Sequence, residues 1–370
     1  MNPSVSNLGE TPSGDLNFTL IGVDVSIANA LRRIILSEIP TVVFRTFPHE
    51  KNRANIEVNT SRLNNEILKQ RLSCIPIHLG TQDEPIEDYI MKLSVTNDGE
   101  SVIYVTTEEF SVESISTGKP LSKDAIRRIF PPNPISNSYI DFARLRPKVT
   151  KDGAGETLQM SCTFDVGTAK QDGAFNVVST CSYAFTHDPV AAASAWSETA
   201  KKLTNEGLSK EEIASSKANW NHIEAKRHFI KNSYDFIITS VGVYENQQIA
   251  RMGCEIMKKK LTSLQEQAAN EGLLIEESES TMANCFDITL VGEDYTIGKV
   301  IEYMLYRNYF EGVKTLSYCG FRKSHPHIDS CTVRVAFKDT EATKATAQTY
   351  VEESCKEAIT IFESIAQYFK

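Results

Sequence analysis

The sequence predicts an α+β fold of two strand–turn–helix units, each with a small antiparallel sheet and packing helices, paired as a pseudo-dimer. The first unit is interrupted by a mostly β inserted domain. Three observations carry this. Residues 19–31 recur without gaps as residues 289–301. An apolar helical stripe follows each copy, far downstream in the first case and close by in the second. Between the first copy and its stripe lie short strand-like runs broken by prolines. At 370 residues, the chain has room for two or three cores.

The repeat is identical at Thr19/Thr289, Leu20/Leu290, Gly22/Gly292, Asp24/Asp294 and Ile27/Ile297. Each copy reads as an alternating strand, a Gly-x-Asp turn, and a helix with Ser26 or Thr296 expected as N-cap. In the first helix Ile27, Leu31, Ile34 and Ile35 share one face, with Asn29, Arg32, Arg33 and Ser37 elsewhere, and Pro40 ends it. Later stripes are Ile249, Met252, Ile256, Met257, Leu261 and Leu264 after a strand at 234–243, and Val351, Cys355, Ala358, Ile359, Phe362, Ile365, Ala366 and Phe369.

Each unit offers an apolar helix face larger than a small sheet covers, so two units face to face would bury both. Ile27, Leu31, Ile34, Ile297, Val300, Ile301 and Met304 are the residues assigned to this pseudo-dimer interface; the competing role is ordinary core within each unit.

The domain reading is 1–79 with 229–270 for the first unit, 80–228 for the insertion, 271–284 for an acidic linker and 285–370 for the second unit. Within the insertion, strands are expected near 89–95, 101–107, 157–164 and 176–185, with prolines 131, 132 and 134 fixing turns between them. A solvated helical excursion is expected near 190–228, where Ser209 and Glu212 make a capping-box pattern.

Composition narrows the function. With 39 basic against 48 acidic residues the net charge is −9, which disfavours a free-standing DNA-binding module. Eight scattered cysteines, none at Cys-x-x-Cys spacing, read as reduced thiols, and no metal or other cofactor is expected. His325 and His327 flank Pro326 in what reads as a rigid turn. Residues 1–15 are polar, without the basic start or apolar run of a secretory signal, and no run approaches a membrane span, so a soluble intracellular protein is expected. Phosphate-loop, nucleophile-elbow and zinc-protease motifs are absent, so no catalytic residues are assigned and no activity is expected of the chain by itself.

The run Asn29-Ala30-Leu31-Arg32-Arg33, continuing to an Ile39-Pro40 stop, resembles the signature helix of the third-largest eukaryotic RNA polymerase subunit and its bacterial alpha counterpart. Residues 59–66 and 71–77 are similar to the family's next segment, a helix leading into an Ile-Pro-hydrophobic strand. Residues 142–147 and 167–176 resemble its inserted domain, although the His and Lys usual near 173–175 are missing. Residues 285–370 are similar to the small partner, the eleventh subunit, with 292–298 as its strand–turn–helix and 320–327 as its Gly-Tyr-x-x-x-His-Pro turn. Two alpha-like dimerisation units that are separate chains in the family thus stand in one.

The resemblance implies a non-catalytic assembly platform of DNA-directed RNA polymerase, docking the largest and second-largest subunits beside other small subunits. DNA would be met only through the complex, with no membrane contact and an internal pseudo-dimer rather than a homo-oligomer. It assigns large-subunit docking to Arg32 and Arg33; these diverge by about 100° on a helix and cannot both face one neighbour, and at least Arg32 is expected to dock the second-largest subunit, with a solvated surface role as the alternative. The four-cysteine zinc site frequent in the eukaryotic third subunit has no counterpart here. The fusion points to a large DNA virus, hence a cytoplasmic viral factory and the virion, or otherwise the nucleus. A platform-like regulator recruiting transcription factors through the inserted domain, and an enzyme built on the repeat, are the competing functions.

Overall fold

The structure, a computed structural model, describes residues 1–80, 85–148, 153–270 and 272–369. In chain order its first elements are β1 (Ser4–Glu10), β2 (Leu16–Ile21), α1 (Val25–Ser37), β3 (Thr41–Val43), β4 (Ala54–Asn59), α2 (Asn65–Ser73), β5 (Tyr89–Thr96), β6 (Ile103–Thr106), β7 (Ser111–Ser114), α3 (Lys123–Ile129), β8 (Asp141–Leu145), β9 (Thr157–Thr163) and β10 (Asp165–Gly167). There follow β11 (Val178–His187), α4 (Pro189–Asn205), α5 (Lys210–His222), β12 (Phe229–Ser240), α6 (Asn246–Ala269), β13 (Leu274–Glu277), β14 (Cys285–Val291), α7 (Tyr295–Leu305), β15 (Leu316–Arg322), β16 (Ser330–Phe337) and α8 (Lys344–Ala366).

The chain forms two compact units. One comprises Met1–Ile34, Thr180–Thr239 and Asn246–Lys370, the other Ile35–Ser179 and Ser240–Glu245. The first unit contains both repeats. Each is built on a four-stranded antiparallel sheet, in the order β1-β2-β12-β11 and β13-β14-β16-β15. The two orders correspond strand for strand, and each repeat adds a short helix after its second strand (α1, α7) and a long helix at its end (α6, α8). Alternation on β2 drives Leu16, Phe18 and Leu20 into the core, and β12 answers with Tyr234, Phe236 and Ile238. Phe18 stacks on Phe236 at 4.9 Å.

The boundaries differ from those expected at 80 and 228. Residues 41–79 belong to the inserted body, because β3 and β4 pair with β10 and β9 and α2 buries Leu68 and Leu72 in its core. Conversely β11 completes the first repeat's sheet, so 180–228 belongs to the repeat unit. The segment read as an acidic linker at 271–284 holds edge strand β13: Leu273 and Ile275 are buried, so their alternation outweighs the surrounding glutamates. Residues 75–77, expected as a strand, join no sheet; Pro76 has no N–H to donate, while Ile75 and Ile77 are buried.

The helical excursion is α4 and α5. Asp188 caps α4 ahead of Pro189, and Ser209 with Glu212 forms the capping box of α5. Only Ala192 of α4 and no residue of α5 is buried, as its polarity indicates. Trp196 and Trp220 face one another at 5.7 Å between the two helices.

The second unit is mostly β, with sheets β4-β9-β5-β7, β10-β3 and β6-β8, and α3 besides α2. Phe110 packs edge-on against both Phe130 and Phe142, at 5.4 and 5.6 Å, in its core. Buried Arg45 is satisfied by Asp165 at 2.6 Å and by the Val166 carbonyl.

Candidate functional site

The site the repeat points to is the seam between the two copies, inside the first unit. It starts from a backbone device made twice. Gly22 and Gly292 adopt φ of +81° and +73°, a left-handed conformation open to glycine without strain. The chain then turns so that Asp24 Oδ1 accepts from the Ser26 N–H and Asp294 Oδ1 from the Thr296 N–H, both at 2.8 Å. The caps are therefore the aspartates, not Ser26 or Thr296. The carboxylate sits one residue before the helix, where it reaches the second free N–H and adds negative charge at the positive end of the dipole.

With the caps made by aspartate, the hydroxyls are released for other uses, and the copies part ways. Arg33 reaches from α1 to the opposite cap, its Nε donating to Thr296 Oγ1 at 2.9 Å and its Nη2 to Asp294 Oδ2 at 2.7 Å. Burial acts to raise the Asp294 pKa; the hydrogen bonds from Thr296 and the charge of Arg33 outweigh it and hold the carboxyl below its ordinary value. In the other copy the position matching Arg33 is Tyr303, and Ser26 Oγ is buried without a partner. Burial, then the charge of Asp24, push the Tyr303 phenol upward, so it stays neutral at physiological pH. A cavity of about 410 Å³ opens here, lined by Asp24, Ser26, Asn29, Tyr183, Tyr303 and Tyr306.

All seven residues assigned to the interface, Ile27, Leu31, Ile34, Ile297, Val300, Ile301 and Met304, are at most 1% exposed. Helix α7 packs on α8, β15 and β16 of its own repeat, whereas the broadest helix contact across the seam is α6 against α8. Met257, Leu261, Cys254, Phe362, Cys355 and Ala358 are buried on those two helices. Both stripes are visible in the sequence; what hid their role is that an amphipathic stripe does not say which surface covers it. Phe18 of the first sheet also meets Phe369, edge-on at 5.1 Å. Polar links border the seam: Lys260 to Glu293 at 3.1 Å and Lys258 to Glu363 at 2.5 Å. Neither pair was singled out in the sequence, since isolated charges on helices carry no signal of partner.

Arg32 takes the other direction on α1. Its Nε donates to Asn29 Oδ1 at 3.0 Å, and it makes no ion pair among the described residues. The matching pair in the second copy is Lys299 with Glu302, at 2.5 Å. After the cap and this pair, α7 widens into a π-helical stretch at Tyr306–Gly312, where Arg307 and Asn308 hold Glu357 of α8.

Burial lifts the thiols of Cys162, Cys181 and Cys355 to about 12, so they remain protonated packing groups. Among the described residues, no three His, Cys, Asp or Glu side chains are grouped to hold a metal ion, and no helix is long and apolar enough to cross a membrane.

Comparison with known proteins agrees with this duplicated architecture. The model of the RNA polymerase Rpb3/Rpb11 dimerisation domain matches residues 17–261, and a second model of the same description matches residues 285–367. The chain is 29% identical over 192 residues to the rpac1 subunit of DNA-directed RNA polymerases I and III from Dictyostelium discoideum, covering 48% of this chain and 51% of that one. It is 26% identical over 275 residues to subunit RPB3 of DNA-directed RNA polymerase II from Schizosaccharomyces pombe, covering 67% of this chain and 82% of the relative. To subunit Rpo3 from Pyrococcus furiosus it is 30% identical over 122 residues, 31% of this chain and 44% of that one. The chain thus spans about half the length, or less, of two of these three relatives. Carrying the domain twice, this chain belongs to the RNA polymerase Rpb3/Rpb11 dimerisation-domain family.

Proposed function

We propose that the chain is a non-catalytic assembly platform of a DNA-dependent RNA polymerase, docking the two largest subunits with other small subunits alongside. The observation that carries this is two separate matches to the dimerisation domain in one chain, whose two repeats share one compact unit. Covalent linkage makes their pairing intramolecular, with an effective concentration on the order of millimolar for a short tether. Assembly then begins from a preformed platform instead of waiting for two chains to meet. DNA is reached through the complex, in keeping with a net charge of −9.

Of the two arginines assigned to docking, Arg33 is engaged with Asp294 and Thr296 inside the chain. Arg32 retains guanidinium donors beyond its bond to Asn29, so it is the one we assign to the second-largest subunit. The seam and docking faces are distinct parts of one helix, which lets one element serve both. The fusion alone leads us to place the chain in a large DNA virus, in its cytoplasmic factory and virion; a nuclear location follows if the source is cellular.

The test is affinity purification of the tagged chain from its native cells with quantitative mass spectrometry. Two very large polymerase subunits in equal amount are expected, and Arg32→Glu is expected to reduce their recovery several-fold. A folded chain that brings down neither large subunit contradicts the proposal.

A further inference from the structure

In the second unit, β6 and β8 form a two-stranded ribbon whose open face differs from the rest of this acidic chain. The register sets Tyr104 opposite Arg144, Ile103 opposite Leu145 and Val105 opposite Ala143. Because side chains alternate, Val105, Ala143 and Leu145 enter the core, while Val102 and Tyr104 stand on the other face, 47% and 52% exposed. Arg144 lies over the Tyr104 ring at 4.7 Å. Arg62 and Arg71 converge from the start and end of the α2 region, and Arg146 closes a cleft of about 650 Å³.

The charges in this cleft do not cancel. Arg146 is held by Glu156 at 2.5 Å. Burial acts to raise the Glu156 pKa, and the hydrogen bonds of Arg146 with the nearby charge of Arg62 override it and lower the carboxyl. Arg71 donates its Nε and Nη2 to the carbonyls of Phe142 and Asp141, both at 2.7 Å, which orients the guanidinium without neutralising it. Arg62, Arg71 and Arg144 make no ion pair among the described residues. Four arginines thus line the cleft beside one carboxylate, Asp141, and Glu156 offsets only Arg146. Holding like charges together costs free energy unless something negative enters.

We propose that this cleft docks an extended segment of a partner protein in which acidic and apolar side chains alternate. Guanidinium forks match carboxylates through paired hydrogen bonds. Leu63, Val102 and the Tyr104 ring supply apolar surface for the residues between them. The volume suits a few residues rather than a long polymer. A nucleic acid would need a track of basic and aromatic groups along its backbone, whereas this is a single cleft with a carboxylate, Asp141, in its wall, on a chain of net charge −9. The inference does not depend on the polymerase reading, since the isolated full chain is the test object.

Fluorescence anisotropy would use a labelled peptide of alternating Glu and Leu, the same peptide with Gln for Glu, and a single-stranded oligonucleotide of equal charge. The acidic peptide is expected to bind saturably, at least tenfold tighter than the Gln peptide, and to weaken with salt. Arg62→Gln with Arg144→Gln is expected to lower its affinity at least tenfold and Tyr104→Ala several-fold, with unchanged thermal unfolding. If the double variant fails to fold, Arg144→Lys, which keeps the charge and removes the fork, is expected to weaken binding at least threefold. Equal binding of the two peptides, no loss on these substitutions, or tighter binding of the oligonucleotide through Arg62 and Arg144 would each overturn the proposal.

Discussion

The two repeats of the first unit differ most where they face away from their own backbones. Both make the same turn, with glycine at positive φ and an aspartate accepting from the N–H two residues on at 2.8 Å. Both order their four strands alike and bury the helix face that begins at Ile27 or Ile297. Yet Asn29 and Arg32 become Lys299 and Glu302, Arg33 becomes Tyr303, and Ala28 becomes Gly298. What the backbone requires is held in both copies, and what meets another surface is not. The unit is consequently symmetric as a fold and asymmetric in its side chains, so its two outer helix edges carry different charges.

Several substitutions break or sharpen this comparison. The largest effect is expected at the seam of the long helices. Phe362→Ala removes a fully buried ring from α8 and should cost about 3–5 kcal/mol, read by urea unfolding. Next comes the Ala28/Gly298 difference. A Cβ on Gly298 would lie 2.0 Å from the Phe321 ring, so Gly298→Ala should destabilise by about 1–3 kcal/mol despite better helix propensity, and Phe321→Ala in the same chain should recover part of that loss. Ala28→Gly should cost about 1–2 kcal/mol, from the backbone freedom of glycine and the loss of a buried methyl.

The cross-seam ion pair is smaller. Both partners are partly exposed, so Arg33→Ala should cost about 1 kcal/mol at pH 7. The folded-state Asp294 pKa is lowered, so its contribution is complete above the unfolded value of about 3.9 and is lost as pH falls through the lower folded value. The gap between Arg33→Ala and the unsubstituted chain should therefore be present at pH 6 and shrink in strongly acidic buffer; a gap unchanged by acid would place the effect elsewhere. The smallest perturbation is chemical. Under native conditions a thiol reagent should modify Cys74, which is exposed, well before Cys254 and Cys355, which are buried at the seam helices. Rapid labelling of the latter two would mean the seam opens.

Much of the fold was legible because a duplicated turn and two periodic stripes survive in the sequence. Strands β5 and β9, the capping box of α5 and the strand–turn–helix of each copy were readable from local chemistry. The boundaries were not, since strand pairing decides them: β3 is a three-residue run that pairs with β10 far along the chain, and β11, readable as a strand, gives no local sign that it joins the first repeat's sheet. Strand β13 was hidden by glutamates on its solvent face. The caps were misassigned by two residues, because Asp-x-Ser and Asp-x-Thr each offer two good capping groups. Arg33 was assigned with Arg32 to large-subunit docking, and nothing in helical spacing reveals that Asp294, some 260 residues on, lies within its reach.

The most direct test of the account is the mass of the particle after the chain is cut once between its repeats. A protease site placed at the exposed Gly272, between α6 of the first repeat and β13 of the second, separates the copies covalently without removing any strand. The account predicts that the uncut chain has its monomer mass of 41.3 kDa and that the cut pieces stay together at that mass with a nearly unchanged melting curve. Pieces that drift apart under native conditions, or an uncut particle of twice that mass, would contradict the pairing of the two repeats within one chain.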